Sequence, residues 1–134
     1  MRIPPPQLIF SAGLLVLVVL LLAAPQGQRL AYNPNTETTI EGIVQEVQNY
    51  YCPLSSGEGT HLVVATENEL VRVHFAPQVF LRSHDWSFLP GDRVQVIGSK
   101  ISYGPPGDMV ARKVSRYGLT VSVRAQDGKP VWTD

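Results

Sequence analysis

Few residues in this 134-residue chain are of the kinds that do chemistry. There are three histidines, His61, His74 and His84, and a single cysteine, Cys52. His61 and His74 fall in two neighbouring strand-like stretches, where both side chains are expected to face outward in a diagonal relation. Such a pair binds a metal if Cys52 or a carboxylate joins it. No third ligand stands at a recognisable spacing, so no metal and no cofactor is expected. Nucleophilic catalysis needs a nucleophile held beside a base. Ser55, Ser56 and Cys52 share a stretch without an identifiable His and Asp order, and Asp85 next to His84 is not a triad by adjacency. The expected reading is a protein that is not an enzyme. The lone cysteine allows no intramolecular disulfide and reads as a small buried apolar residue.

The elements that must position these side chains are short and extended. Thr38–Tyr50 is β-branched, with Gly42 inside it and a change of parity at Val47 that a bulge would cause. It reads as one long, bent strand. Cys52–Thr60 reads as a loop by composition. His61–Thr66 and Val71–Phe75 read as a hairpin reversing at Glu67-Asn68-Glu69, with Val71, Val73 and Phe75 facing the core. Facing Leu62 and Val64 inward sets them opposite Phe75 and Val73. Ala76–Arg82 reads as a short helical plug, with Val79, Phe80 and Leu89 closing one end and Trp86 and Phe88 as lids. Pro90-Gly91-Asp92 delivers the chain into a strand carrying Val94 and Val96, which Gly98 interrupts where a bend is needed. Ser102–Asp108 reads as a loop, Met109–Val114 as a fifth strand and Leu119–Arg124 as a sixth. Asp127-Gly128 forms a turn before Pro130-Val131-Trp132.

Before all of this, Leu8–Ala24 is an almost wholly apolar run of 17 residues preceded by Arg2. That length lies between a signal-peptide core and a membrane span of about 20 residues. Ala23 and Ala24 suggest processing, but Pro25 directly after them impedes cleavage. Residues 1–24 are therefore expected to be a signal peptide or a signal anchor, 25–37 a flexible linker and 38–134 the folded domain. The domain is expected across the cytoplasmic membrane, periplasmic or extracellular, and held by residues 8–24 if they are uncleaved.

The 11 basic and 11 acidic residues balance but are unevenly placed. Leu30–Val71 holds Glu37, Glu41, Glu46, Glu58, Glu67 and Glu69 with no Lys or Arg, whereas Arg93–Lys129 holds seven bases against Asp108 and Asp127. Either this marks an anion-facing side, or acidic and basic strands lie side by side and pair. The second reading is the expected one.

Long bent strand, hairpin, short helix, turn-led strand, loop and strand is the order of an all-β, OB-fold-like Greek-key barrel of five to six strands. The spacing of Gly42, His61-Leu62, Val71–Pro77, Pro90-Gly91-Asp92 and Gly98-Ser99 resembles small bacterial exported OB-fold proteins, a group that includes the bacterial OB-fold (BOF) periplasmic proteins. The resemblance covers roughly Thr38–Arg124. It implies binding on the face of strands two and three, framed by the loops Cys52–Thr60 and Ser102–Asp108. Tyr50, Tyr51, Arg72, His74 and Tyr103 would line that face, with Lys100 and Arg112 nearby. The implied function is an exported or tethered module that recognises a small ligand, glycan or protein partner. The first alternative is a structural subunit of a cell-envelope assembly. Aromatic and basic residues together also suit single-stranded nucleic acid. A module of that kind is usually more basic than this, so nucleic acid is not the expected partner.

Overall fold

The computed structural model describes residues 32–55, 57–104 and 106–133. The apolar run Leu8–Ala24 lies outside the described residues. Six strands follow one another: β1 (Glu37–Cys52), β2 (Gly57–Ala65), β3 (Leu70–Pro77), β4 (Arg93–Ser102), β5 (Gly107–Arg116) and β6 (Leu119–Ser122). One helix, α1 (Gln78–Ser83), stands between β3 and β4 as expected. Five strands close into a barrel. β1 lies between β2 and β4, β4 pairs β5, and a parallel pairing of β3 with β5 seals the seam. β6 is an added strand on the outer edge of β5. Among the described residues no helix is long and apolar enough to cross a membrane.

The barrel closes because β1 serves two partners. Glu37–Ile43 pairs with β4, and Ile43–Cys52 pairs with β2. Two local features make the change possible. Gly42 packs so tightly that a Cβ there would lie 2.2 Å from the Ala65 carbonyl oxygen. A bulge between Val44 and Glu46 then resets the register, as the parity of Val47 predicts. The Pro90-Gly91-Asp92 turn is clipped into this bend. Gly91 N–H donates to Val44 O (2.7 Å), and Val44 N–H donates to Asp92 O (2.8 Å). Asp92 accepts at Oδ2 from Leu89 N–H and Arg116 Nη1 (both 2.9 Å) and at Oδ1 from Tyr117 Oη (3.3 Å). The Leu89 amide is the chief reason its carboxyl sits below the usual range, with Arg116 adding to it. Gly98 marks a second irregularity, in the β4–β5 register, where a Cβ would lie 2.3 Å from Val110 O.

Inward positions follow the period of two. Leu62 and Val64 of β2, Val71, Val73 and Phe75 of β3, and Val94 and Val96 of β4 are all buried in one cluster. Their partners differ from expectation: Leu62 stands opposite Val73, and Val64 opposite Val71. Leu70 already pairs with Ala65, and Thr66 N–H closes the reversal on Glu69 O. The turn is therefore tighter than composition suggested, and every pair shifts by two residues without changing face. The barrel end is also plugged differently. Leu81 and Phe88 are the buried residues there, with Phe80 and Trp86 packed against the core. Val79 and Leu89 remain 75% and 66% exposed. A six-residue helix has room to bury one narrow stripe, and α1 turns Leu81 inward.

Both expected loops prove shorter than their composition implied. Tyr50, Tyr51 and Cys52 pair with Gly59, Glu58 and Gly57, so the first reversal is confined to residues 53–56, and its Pro53–Ser55 part is a 3₁₀ turn. Ser102 pairs with Asp108 across the second, leaving 103–106. The glycines were legible as loop residues, yet here they extend the ladders. Tyr32–Thr36 at the end of the expected linker is docked on β4, where Asn33 N–H donates to Ser99 Oγ (3.1 Å). Acidic and basic halves do pair: Glu37 takes Arg112, and Glu69 takes Lys100.

Candidate functional site

The outer face of β1, β2, β3 and β5 carries the most unusual side chains of the barrel. Gln48 pairs with His61, and His61 pairs with His74, so the two histidines are directly opposed rather than diagonal. This is the same two-residue shift that moved the core pairs. Arg72, two residues before His74, pairs with Asp108 on β5. Cys52 shares parity with Tyr50 and Gln48 on β1, so extending β1 to Cys52 brings its sulfur onto this face.

The result is a continuous row of polar contacts. The Tyr50 ring stacks flat on His61, with centroids 3.8 Å apart and planes 2° apart. His61 meets His74 edge-on, with centroids 4.9 Å apart. His74 Nδ1 lies 3.5 Å from Cys52 Sγ, and its Nε2 lies 3.0 Å from Asp108 Oδ1. Asp108 is held in turn by Arg72 Nη1 (3.3 Å) and by Ser102 Oγ, which donates to Oδ2 (3.0 Å). Asp108 Oδ1 thus faces Nε2 while Cys52 Sγ faces Nδ1, an orientation in which a carboxylate favours the N–H at Nε2.

His61 is the anomaly in this row. It is 1% exposed, and neither ring nitrogen has a hydrogen-bond partner. Burial above all, and then neighbouring His74, lowers its pKa from 6.5 to about 4. The backbone of Gln48 and Gly59 lies near enough to favour the charged ring somewhat, without hydrogen-bond geometry. The ring is therefore neutral through the physiological range. Cys52 is 3% exposed. That burial closes its sulfur to a bulky electrophile, since reactive thiols are partially exposed. A neutral imidazole, an oriented imidazole and a thiol are the donor types that hold a transition ion.

Six of the seven residues expected to bind fall into three groups, and Tyr51 stands apart. Tyr50, Arg72 and His74 join the row just described. Tyr51 points away from it and is 70% exposed, beside the 53–56 reversal. Lys100 and Tyr103 form a second group at the 103–106 reversal. There Lys100 Nζ bridges both Glu69 oxygens (2.9 and 3.0 Å) and lies 5.2 Å from the Tyr103 ring centre. Arg112 belongs to a third group. Its Nε and Nη2 clamp Glu37 at 2.5 and 3.0 Å, and Tyr32 also bonds Glu37. Sequence reasoning left Asp108 and Cys52 in loops and out of the site. The parity of Tyr50 and Cys52 was the signal that could have found the second.

A closed five-stranded barrel with a short capping helix, an added edge strand and a buried Cys–His–His row on one outer face defines the class of protein. Residues 36–121 match the model of the MamS/MamX magnetosome protein family, and the chain belongs to that family. The matched span coincides with the barrel, from the start of β1 to β6, and contains every residue of the row. No curated protein gives a significant match. The match does not confirm the expected group of periplasmic OB-fold proteins; what holds of that expectation is the closed five-stranded barrel.

Proposed function

We propose that this chain is a magnetosome-associated recognition module, tethered to a membrane by residues 8–24, that holds its partner across the β2–β3 face. The supporting observation is how that face is framed. Tyr103 at the 103–106 reversal is 72% exposed, and the Arg72 side chain on β3 is 36% exposed. The parallel β3–β5 closure supports reading the barrel as OB-fold-like, and in OB-folds the strand-two and strand-three face is the usual binding surface. An exposed aromatic anchor beside a charged centre suits a protein or glycan surface better than a buried small molecule.

A second reading, a structural subunit of an envelope or magnetosome assembly, draws support from the family. Photo-crosslinking in native membranes separates the two. A crosslinker at position 103 should capture a partner, and one at Tyr117, exposed at the far corner, should not. Arg72→Ala should weaken that capture while the fold is kept. Capture from position 117 alone would sink the recognition reading and leave the assembly one.

A further inference from the structure

We propose that Cys52 Sγ, His74 Nδ1 and one ring nitrogen of His61 form a three-ligand site for a divalent ion of the zinc class, with Asp108 as the positioning residue behind His74. The inference does not depend on the recognition role above. One donor atom from each of the three residues lies within 4.8 Å of the others. The Cys52–His74 edge, at 3.5 Å, already equals the edge of a tetrahedron with Zn–S near 2.3 Å and Zn–N near 2.0–2.1 Å, which is about 3.5 Å. The other edges need a closure of at most about 1.5 Å, within reach of χ rotations.

Two independent observations point to a ligand rather than to packing. The first is His61, fully buried with both nitrogens unpaired. Leaving such a group unmade is costly, and an apolar ring of the same size would stack on Tyr50 equally well. A metal bond supplies the missing partner. The second is the orientation of the His74 ring. Metal-bound imidazoles characteristically donate their other N–H to a carboxylate, and Nε2 already faces Asp108 while Nδ1 faces the sulfur. Asp108 is itself anchored by Arg72 and Ser102, so the orientation is set before any ion arrives.

One thiolate with two imidazoles favours zinc-class or copper ions over magnesium or calcium, which take oxygen donors. Three protein ligands leave a fourth position open. The side chain of His74 is 14% exposed, and this edge offers the way in. Tyr50 closes the His61 side from outside.

The full-length chain in detergent, reduced and metal-free, would be titrated with Co(II) and then with Zn(II). One equivalent of Co(II) should give tetrahedral d–d bands together with a thiolate-to-cobalt charge-transfer band, and Zn(II) should erase both. Asp108→Asn should keep the spectrum and weaken binding by roughly 10–100-fold. His61→Phe should weaken it further than that, and Cys52→Ser should remove the charge-transfer band. His84→Ala, a change at the exposed end of α1, should bind as the native chain does. Absence of the charge-transfer band in the native chain would overturn the site. So would binding unchanged in His61→Phe, a variant that fills the same volume and keeps the Tyr50 stack.

Discussion

At the corner where β1 changes partner, Asp92 is 8% exposed, and its two oxygens accept from Leu89, Arg116 and Tyr117. Beneath the 53–56 reversal, His61 is 1% exposed, and its two nitrogens accept and donate nothing. The same small barrel thus sets a satisfied buried polar cluster against a buried histidine that is not satisfied. The first holds the fold together: it ties β1, the turn before β4 and the end of β5 into one corner. The second costs stability, because a desolvated imidazole without partners is worse than an apolar ring. Arg72, Asp108 and Ser102 nevertheless hold its neighbour His74 in a single orientation.

The sharpest break of this contrast is at the satisfied corner. Asp92→Ala strands the Leu89 amide and the Arg116 guanidinium, and should cost about 3 kcal/mol of unfolding free energy. A lowered urea midpoint at unchanged slope would register it. A loss below about 1 kcal/mol would mean that the corner is not what holds β1.

Acid should act on the two clusters in separate windows. Folded His61 protonates near pH 4, whereas an unfolded histidine protonates near 6.5. Between those values the unfolded chain binds a proton that the native chain does not, so stability is full above about 6.5 and falls as the pH drops toward 4. The gap is worth up to ~3 kcal/mol at full development. Asp92 and Glu37 are held below their ordinary values, so their contribution is present above those values and lost only at lower pH. Unfolding free energies measured from pH 7 to 4 should decline in the native chain, and a flat profile would remove the neutral buried His61.

His61→Phe sharpens the comparison from the other side. Without metal it should leave stability unchanged at pH 7 or raise it by about 1 kcal/mol, and it should flatten the acid decline. A thermal midpoint lowered by several degrees would show that His61 is structurally paired after all. The smallest effect belongs to Tyr103→Ala. It should change stability by less than about 0.5 kcal/mol, as expected for an exposed residue, while reducing capture of a partner at the β2–β3 face.

Much of the fold can be read locally. The inward set Val71, Val73 and Phe75 follows from alternation, the bulge in β1 from the parity of Val47, and the corner from Pro90-Gly91-Asp92 and Gly98. Each depends on neighbouring residues and on the pleat. The candidate site was legible only in part. Tyr50, Arg72 and His74 were placed on the correct face, but His61 and His74 were set two residues out of register, and Cys52 and Asp108 were left in loops. Register depends on how tightly the Thr66–Glu69 turn closes, and a period of two cannot distinguish a two-residue slip, because every side chain keeps its face.

By itself, then, the sequence determined the kind of strands, their order and which side of each is apolar, since these are properties of consecutive residues. Only the tertiary structure decided that Cys52, His61, His74 and Asp108 meet. They lie on four different strands, and the barrel closure that brings them together is a pairing between β3 and β5 far apart along the chain.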